Sequence, residues 1–145
     1  MAADSVAWTG ENSTLKVPCT PKIRRPSPSR GGLAASPGSS AEIEHFWRWF
    51  QNDYEHTPIF SKDDGFNALW VRPDGTMWVS GHQLYFFQIY GDFYALGAGK
   101  VFMFGALYAK ATAEEAVRLA ILHTDGAGGP VQVEHLHPAL AEAAE

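Results

Sequence analysis

The amino-acid sequence predicts one α+β domain in which helices cover a mostly antiparallel sheet, and three observations support this class. The element order runs from strand-like segments to a helix, strand hairpins, two helices and a last strand. Hydrophobic residues make up 46% and aromatic residues 13% of the 145 residues, which is typical of a globular chain of single-domain size. Two helix-start patterns stand directly before apolar residues at helical spacing.

The residues before the first helix are predicted to form short strands separated by turns. The stretch SVAWTGENSTLKVPCTPKIRRP indicates two extended segments around a turn at Gly10 to Ser13. Proline, serine and glycine in PSPSRGG indicate a second turn, and the GLAAS segment that follows is predicted to form a strand of small residues.

The first helix has both a start signal and an apolar face. Ser39 stands at the N-cap with Glu42 three residues later, which is the capping-box pattern. The helix is expected to end near Tyr54, and EHTPIFSKDDG behind it is expected to be a loop. The positions at i, i+3, i+4 and i+7 are all apolar: Ile43, Phe46, Trp47 and Phe50.

The middle of the chain switches from helical to extended patterning. Pro73-Asp74-Gly75 lies between two apolar runs that each contain a tryptophan, which predicts a hairpin. QLYFFQIYGDFYALGAG is expected to continue as strands with a break at Gly91-Asp92. Both alternations of these runs are apolar, as in a sheet that is covered on both faces.

Two helices and a strand follow. KVFMFGALYAKA is apolar nearly all round, so we expect that helix to be deeply packed. Thr112 and Glu115 form a second capping box. The face of the helix that it opens comprises Ala116, Val117, Ala120 and Ile121. VQVEHL then alternates as a strand with Val131, Val133 and Leu136 inward.

The charge and the cysteine content indicate which classes of binding partner and which cellular compartment we expect. The net charge is −5, and the one basic cluster, Lys22 to Arg25 with Arg30, is short enough to be ordinary surface charge. Cys19 is the only cysteine, so an intramolecular disulfide is impossible, which fits a reducing cytoplasm. No segment has the apolar length of a membrane span or the layout of an export signal. We therefore expect a cytoplasmic protein that binds neither nucleic acid nor membrane.

The sequence favours neither a metal site nor a nucleotide site, so we expect no cofactor. The best metal-ligand candidates are His123, Asp125, His135 and His137, but surface histidines are the favoured interpretation. The GAGK stretch departs from the phosphate-loop spacing, since Tyr94 and Val101 stand where a glycine and a hydroxyl residue are needed.

An ordered set of motifs resembles a known family. The stretches are AADS, KIRR, GLAASPGSSAEIEHFWRWF, FYALGAGKVFMFGALYAKATAEEAVRLAI and GGPVQVEHL. They resemble the proteasome β-type, HslV-like N-terminal nucleophile (threonine) hydrolases of bacteria and phages. The resemblance covers residues 1–138 and leaves 139–145 as a tail. It implies a four-layer αββα sandwich, self-assembly into rings, peptide or protein substrates and a possible ATPase partner.

The resemblance also assigns roles to individual residues. In this family a threonine hydroxyl at the chain start attacks the scissile carbonyl, and the α-amino group of the same residue is the base. Asp4 and Lys22 match the supporting Asp and Lys, and Ala35 stands where a backbone N–H faces the oxyanion. The alternative for Asp4 and Lys22 is a purely structural ion pair.

This sequence departs from the family pattern at the reacting groups. The nucleophilic threonine is expected one strand upstream of Asp4, so we expect the chain to begin at the second strand of the fold. Either the true start lies upstream, or the chain is an inactive remnant or a non-catalytic ring subunit. Ala98 and Ala127 replace family hydroxyl residues, and the family's acidic position corresponds to Thr124 or Asp125. The polypeptide as written is expected to be an inactive peptidase.

Overall fold

The computed structural model describes residues 1–3, 6–8, 16–18, 22–36, 40–51, 66–124 and 131–136. Nine strands and three helices lie within these ranges. In chain order they are β1 (Ala2–Ala3), β2 (Val6–Trp8), β3 (Lys16–Pro18), β4 (Ile23–Arg24), β5 (Leu33–Ala35), α1 (Ser40–Gln51), β6 (Ala68–Val71), β7 (Met77–Ser80), β8 (Phe86–Ile89), α2 (Lys100–Tyr108), α3 (Ala113–His123) and β9 (Gln132–Val133). The α+β class and the order of the elements are as the sequence predicts.

All described strand pairs are antiparallel. Five strands form one sheet in the order β4-β5-β6-β7-β8, and two smaller pairs join β1 to β9 and β2 to β3. The predicted hairpin connects β6 and β7, and its register places Trp70 opposite Trp78. Gly75 in its turn has a φ of 86°, a conformation that glycine adopts without strain.

The main core lies between α1 and the five-stranded sheet. The apolar face predicted for this helix is buried: Ile43, Phe46, Trp47 and Phe50 are each at most 1% exposed. Phe50 meets the edge of Trp70 on β6 at 5.5 Å between ring centroids. These aromatic contacts fix α1 across the sheet, because a buried aromatic side chain contributes a large apolar area and a preferred ring geometry.

Two helices pack together at another part of the molecule. Thr112 caps α3 as predicted: its hydroxyl accepts from the Glu115 N–H at 3.2 Å, and the Glu115 carboxylate accepts from the Thr112 N–H at 3.0 Å. Ala116, Val117 and Ala120 of the predicted face are buried, and Ile121 is half-buried. α3 contacts both α2 and β1.

Several local expectations are wrong. α2 has no buried residue, although its sequence is apolar nearly all round. α3, Phe93 and Tyr94 contact only part of its surface, and Val101 on another part is 74% exposed. The run after Gly91-Asp92 forms no strand before α2 begins. Val131, Val133 and Leu136 are only half-buried. The expected cap at Ser39 and the end of the first helix near Tyr54 lie outside the described residues.

Candidate functional site

Lys22 and Ala35 lie at the same end of the β4–β5 pair. Lys22 directly precedes β4, and Ala35, the last residue of β5, pairs with Ile23. Ala35 also pairs with Leu69 on its other side, so it occupies the interior of the five-stranded sheet. The structure therefore brings together two of the positions that the resemblance assigns to one site. Asp4, the third, lies outside the described residues.

Gln132 connects this end of β4 to the β1–β9 pair. Its side chain accepts from the Ile23 N–H at 3.0 Å and donates to the Ile23 carbonyl at 2.7 Å, so it binds both polar groups of that backbone unit. In the β1–β9 ladder Gln132 pairs with Ala3. The residue after Lys22 and the residue before Asp4 are thus both held by Gln132. Sequence reasoning missed this residue, because a glutamine in an alternating strand gives no signal of a contact 109 positions away.

The two arginines after Ile23 connect β4 to different parts of the molecule. Arg24 forms an ion pair with Glu44 of α1 and lies over the ring of Trp47 at 5.2 Å. Arg25 donates to the Glu134 carboxylate and to the His135 carbonyl, each at 3.2 Å. The basic cluster of the sequence is therefore used in contacts that position β4, with α1 on one side and the β9 segment on the other.

The β1–β9 ladder continues through Met1. The Met1 ammonium donates to the Glu134 carbonyl at 2.8 Å, and the Glu134 N–H donates to the Met1 carbonyl at 2.9 Å. Burial lowers the pKa of this amine, and the nearby Glu134 carboxylate opposes that change. Ala2 and Ala3, which directly precede Asp4 in the sequence, are therefore held in an ordered strand.

Ala98 lies on a different element, in the turn that starts α2. Gly97 has a φ of 98°, and its carbonyl accepts from the Lys100 N–H at 3.2 Å. A Cβ atom on Gly99 would lie 2.7 Å from the Ala120 Cβ and 3.5 Å from the Thr124 hydroxyl. The turn therefore packs tightly on the C-terminal end of α3, beside Thr124, one of the two candidates for the family's acidic position.

Of Thr124 and Asp125, the two candidates for the family's acidic position, the structure describes only Thr124. Its hydroxyl is buried and has no hydrogen-bond partner among the described residues. Asp125 and Ala127 lie outside the described residues, as do Cys19 and His137. Within the described ranges no three His, Cys, Asp or Glu side chains are grouped closely enough to bind a metal ion. His123 is stacked on Phe102, with ring centroids 5.5 Å apart, and His135 is exposed.

Two solved structures from Thiobacillus denitrificans have a similar fold. BPH in complex with epoxomicin matches with a TM-score of 0.68 and 22% identity, over 94% of this chain and 92% of that chain. BPH in a second structure matches with a TM-score of 0.63 and 21% identity over the same shares of both chains. No protein-family model and no curated protein matches the sequence. In the described ranges no helix is both long and apolar enough to cross a bilayer. The two structural matches show that the chain shares the fold of a protein that binds a proteasome inhibitor.

Proposed function

We propose that the chain is a subunit of a proteasome-like, threonine-type endopeptidase assembly with the four-layer αββα architecture. The observation that carries this proposal is the similarity in fold to BPH over nearly the whole chain, one structure of which contains epoxomicin. The order of the elements and the common end of β4 and β5 where Lys22 and Ala35 lie support it. The proposed substrates are peptides or proteins.

The proposed supporting residues are Asp4, Lys22 and Ala35. A lysine ammonium lowers the pKa of a neighbouring amine, an aspartate orients that lysine, and a backbone N–H stabilises the negative oxygen of the tetrahedral intermediate. An α-amino group has an ordinary pKa of about 8, so a substantial fraction is neutral and able to take the proton of a hydroxyl. Within the 145 residues we propose these three as supporting residues; Met1 and Ala2 carry no hydroxyl.

Exposed apolar side chains support the proposed assembly into rings. They lie in two regions, around β8 and on the α2–α3 pair. The large ones are Tyr85, Phe87, Tyr90, Val101, Phe102, Tyr108, Leu119 and Leu122. Large apolar side chains that are grouped on a surface mark an interaction site more often than a solvated face. Contact between copies of the chain would cover it.

A non-catalytic subunit of the same assembly is the second candidate. Ala98 and Ala127 favour it, because both replace residues whose hydroxyl groups belong to the family's site. Both candidates keep the proposed ring and the cytoplasmic location that the single cysteine, Cys19, favours, and both leave room for an ATPase partner.

The intact mass of the polypeptide after treatment with epoxomicin tests which catalytic groups these 145 residues supply. The 145-residue polypeptide is expected to gain no covalent mass and to hydrolyse no fluorogenic peptide, because a threonine-directed inhibitor has no hydroxyl-bearing first residue to react with. A covalent adduct on this polypeptide would overturn the proposal that its residues supply supporting groups only.

The DNA upstream of the coding sequence separates the two candidates. An in-frame start followed by a threonine-bearing strand predicts a longer chain that forms the epoxomicin adduct. In that chain Lys22→Ala is expected to reduce the rate of peptide hydrolysis at least about a hundredfold while melting stays within a few degrees. Arg118→Ala on α3 is the matched control. An in-frame stop supports the non-catalytic subunit.

A further inference from the structure

A partly open cavity of about 460 Å³ lies beside the β6–β7 hairpin, and neither Lys22 nor Ala35 lines it. The described residues that line it are mostly aromatic: Trp49, Trp70, Arg72, Trp78, Gln83, Leu84, Tyr85 and Phe86. They come from α1, from both strands of the hairpin, from the connection between β7 and β8 and from the start of β8. A cavity of this size that combines aromatic side chains with a few polar groups is suited to a small molecule.

The only cationic side chain among these residues is held against two tryptophan rings. The guanidinium of Arg72 lies 4.7 Å from the ring centroid of Trp70 and 4.6 Å from that of Trp78. The rings themselves are fixed: Trp70 Nε1 donates to the Gly31 carbonyl at 3.1 Å, and Trp78 Nε1 donates to the Thr76 hydroxyl at 2.9 Å. Arg72 is therefore positioned by oriented aromatic faces, an arrangement that costs a ligand little further ordering.

The N–H groups of this guanidinium have no described acceptor. Within the described ranges, Arg72 makes no side-chain hydrogen bond and no ion pair; its side-chain interactions are with the two rings and, at longer range, with Asp74. The Asp74 carboxylate is already engaged, since its Oδ1 accepts from the Thr76 hydroxyl at 2.6 Å and from the Thr76 N–H at 2.9 Å. A half-buried guanidinium with open donors is suited to a planar anion.

The backbone at the cavity is strained. Leu84 is 5% exposed and has a φ of 59°, in the left-handed region that a bulky residue rarely adopts. Its N–H donates to the Gly81 carbonyl at 3.0 Å, and burial of its side chain offsets the strain. Strain of this kind is concentrated at ligand-binding and catalytic sites. It is a second feature, independent of Arg72, that distinguishes this cavity from an ordinary surface depression.

We propose that this cavity binds a small aromatic carboxylate, with the carboxylate on Arg72 and the ring against the tryptophans. The guanidinium and a carboxylate are both planar and form two parallel hydrogen bonds. One cation with Asp74 nearby favours a single negative charge over the two charges of a phosphate monoester. The aromatic walls provide the edge and face contacts that an aromatic ring prefers. This site is independent of the proposed peptidase function.

The probe for the test is 4-fluorophenylacetate, followed by ¹⁹F NMR during titration with the full chain. Saturable binding is expected for the acid, and at least about tenfold weaker binding for the neutral 4-fluorophenylacetamide, which lacks the charge-assisted pair. Arg72→Gln is expected to weaken binding of the acid by the same factor, whereas Arg118→Gln on α3 leaves it unchanged. Equal binding of the acid and the amide, or no saturable binding, would overturn the proposal.

A second readout needs only the unmodified chain, so it decides the matter even if Arg72→Gln fails to fold. The indole N–H resonances of Trp70 and Trp78 are expected to shift as the acid is added. The resonance of Trp47, which does not line the cavity, is expected to stay in place. Uniform shifts of all three, or shifts of Trp47 alone, would place the ligand elsewhere and contradict the proposal.

Discussion

At the scale of single residues, two glycines with similar backbone angles differ in what surrounds them. Gly32 has a φ of 80°, and a Cβ there would lie 2.0 Å from the Val71 carbonyl oxygen. Gly75 has a φ of 86°, and a Cβ there would meet nothing within 4 Å. The first position needs glycine for both conformation and space, while the second needs it for conformation alone.

The two substitutions to alanine separate these requirements. Gly75→Ala is expected to lower the free energy of unfolding by about 1 to 2 kcal/mol, which is the cost of a left-handed L-residue. Gly32→Ala is expected to cost on the order of 1 to 3 kcal/mol more, since β5 and β6 must also move apart. Urea unfolding followed by tryptophan fluorescence measures both. Equal losses would show that the strands do not approach each other as described.

Asp74 provides a pH-dependent test in the β6–β7 turn. Hydrogen bonds from the Thr76 hydroxyl and N–H lower the pKa of the Asp74 carboxyl. A carboxyl with a lowered pKa in the folded state contributes stability above its unfolded value of about 3.9, and that stability is lost as the pH falls through the folded value. Thr76→Val is expected to raise this pKa towards the ordinary value in an NMR titration, whereas Thr112→Val leaves it unchanged. An unaltered pKa in Thr76→Val would contradict the hydrogen-bond assignment.

At the scale of elements, locally specified features could be predicted from the sequence and those that depend on distant neighbours could not. The Thr112 capping box and the buried face of α1 follow from residues at most seven positions apart. The exposure of α2 could not be predicted in this way: Val101 and Tyr108 are each 74% exposed, although their helix is almost wholly apolar. An apolar sequence shows that a surface needs cover, but it does not show whether the same chain provides it.

In the candidate site, too, some features could be predicted from the sequence and others could not. The resemblance selects Lys22 and Ala35, and the register of β4 and β5 places them at one end. The contacts of Gln132 with Ile23 depend on a strand more than a hundred residues later, so no local pattern indicates them. The Arg72 cavity was missed for a similar reason, because cross-strand register, and no spacing along the chain, brings Trp78 next to Arg72.

The packing of α1 on the sheet provides an element-scale prediction with a matched control. Phe50 is fully buried against Phe46 and Trp70, while Phe87 on β8 is 56% exposed. Phe50→Ala is expected to cost about 3 to 5 kcal/mol, because it leaves a cavity between the helix and the sheet. Phe87→Ala is expected to cost far less in the isolated chain. Thermal unfolding compares the two, and similar losses would contradict the position of α1.

At the scale of the whole molecule, the exposed apolar side chains and the fold lead to the same expectation. The chain shares its fold with BPH, and large apolar residues on β8, α2 and α3 are exposed in the described part of the chain. A subunit that functions within an assembly leaves such surfaces for its neighbours. The proposed peptidase subunit and the proposed non-catalytic subunit both require that assembly, so it is the central claim of the proposed function.

Native mass spectrometry of the protein purified from its own cells tests this claim most directly. A proteasome-like subunit is expected to form a closed ring of more than two copies. The mass of the ring is then a whole multiple of the subunit mass, which is 15.9 kDa for these 145 residues. A protein that remains a monomer or a dimer at all accessible concentrations would contradict the proposed function in both of its forms.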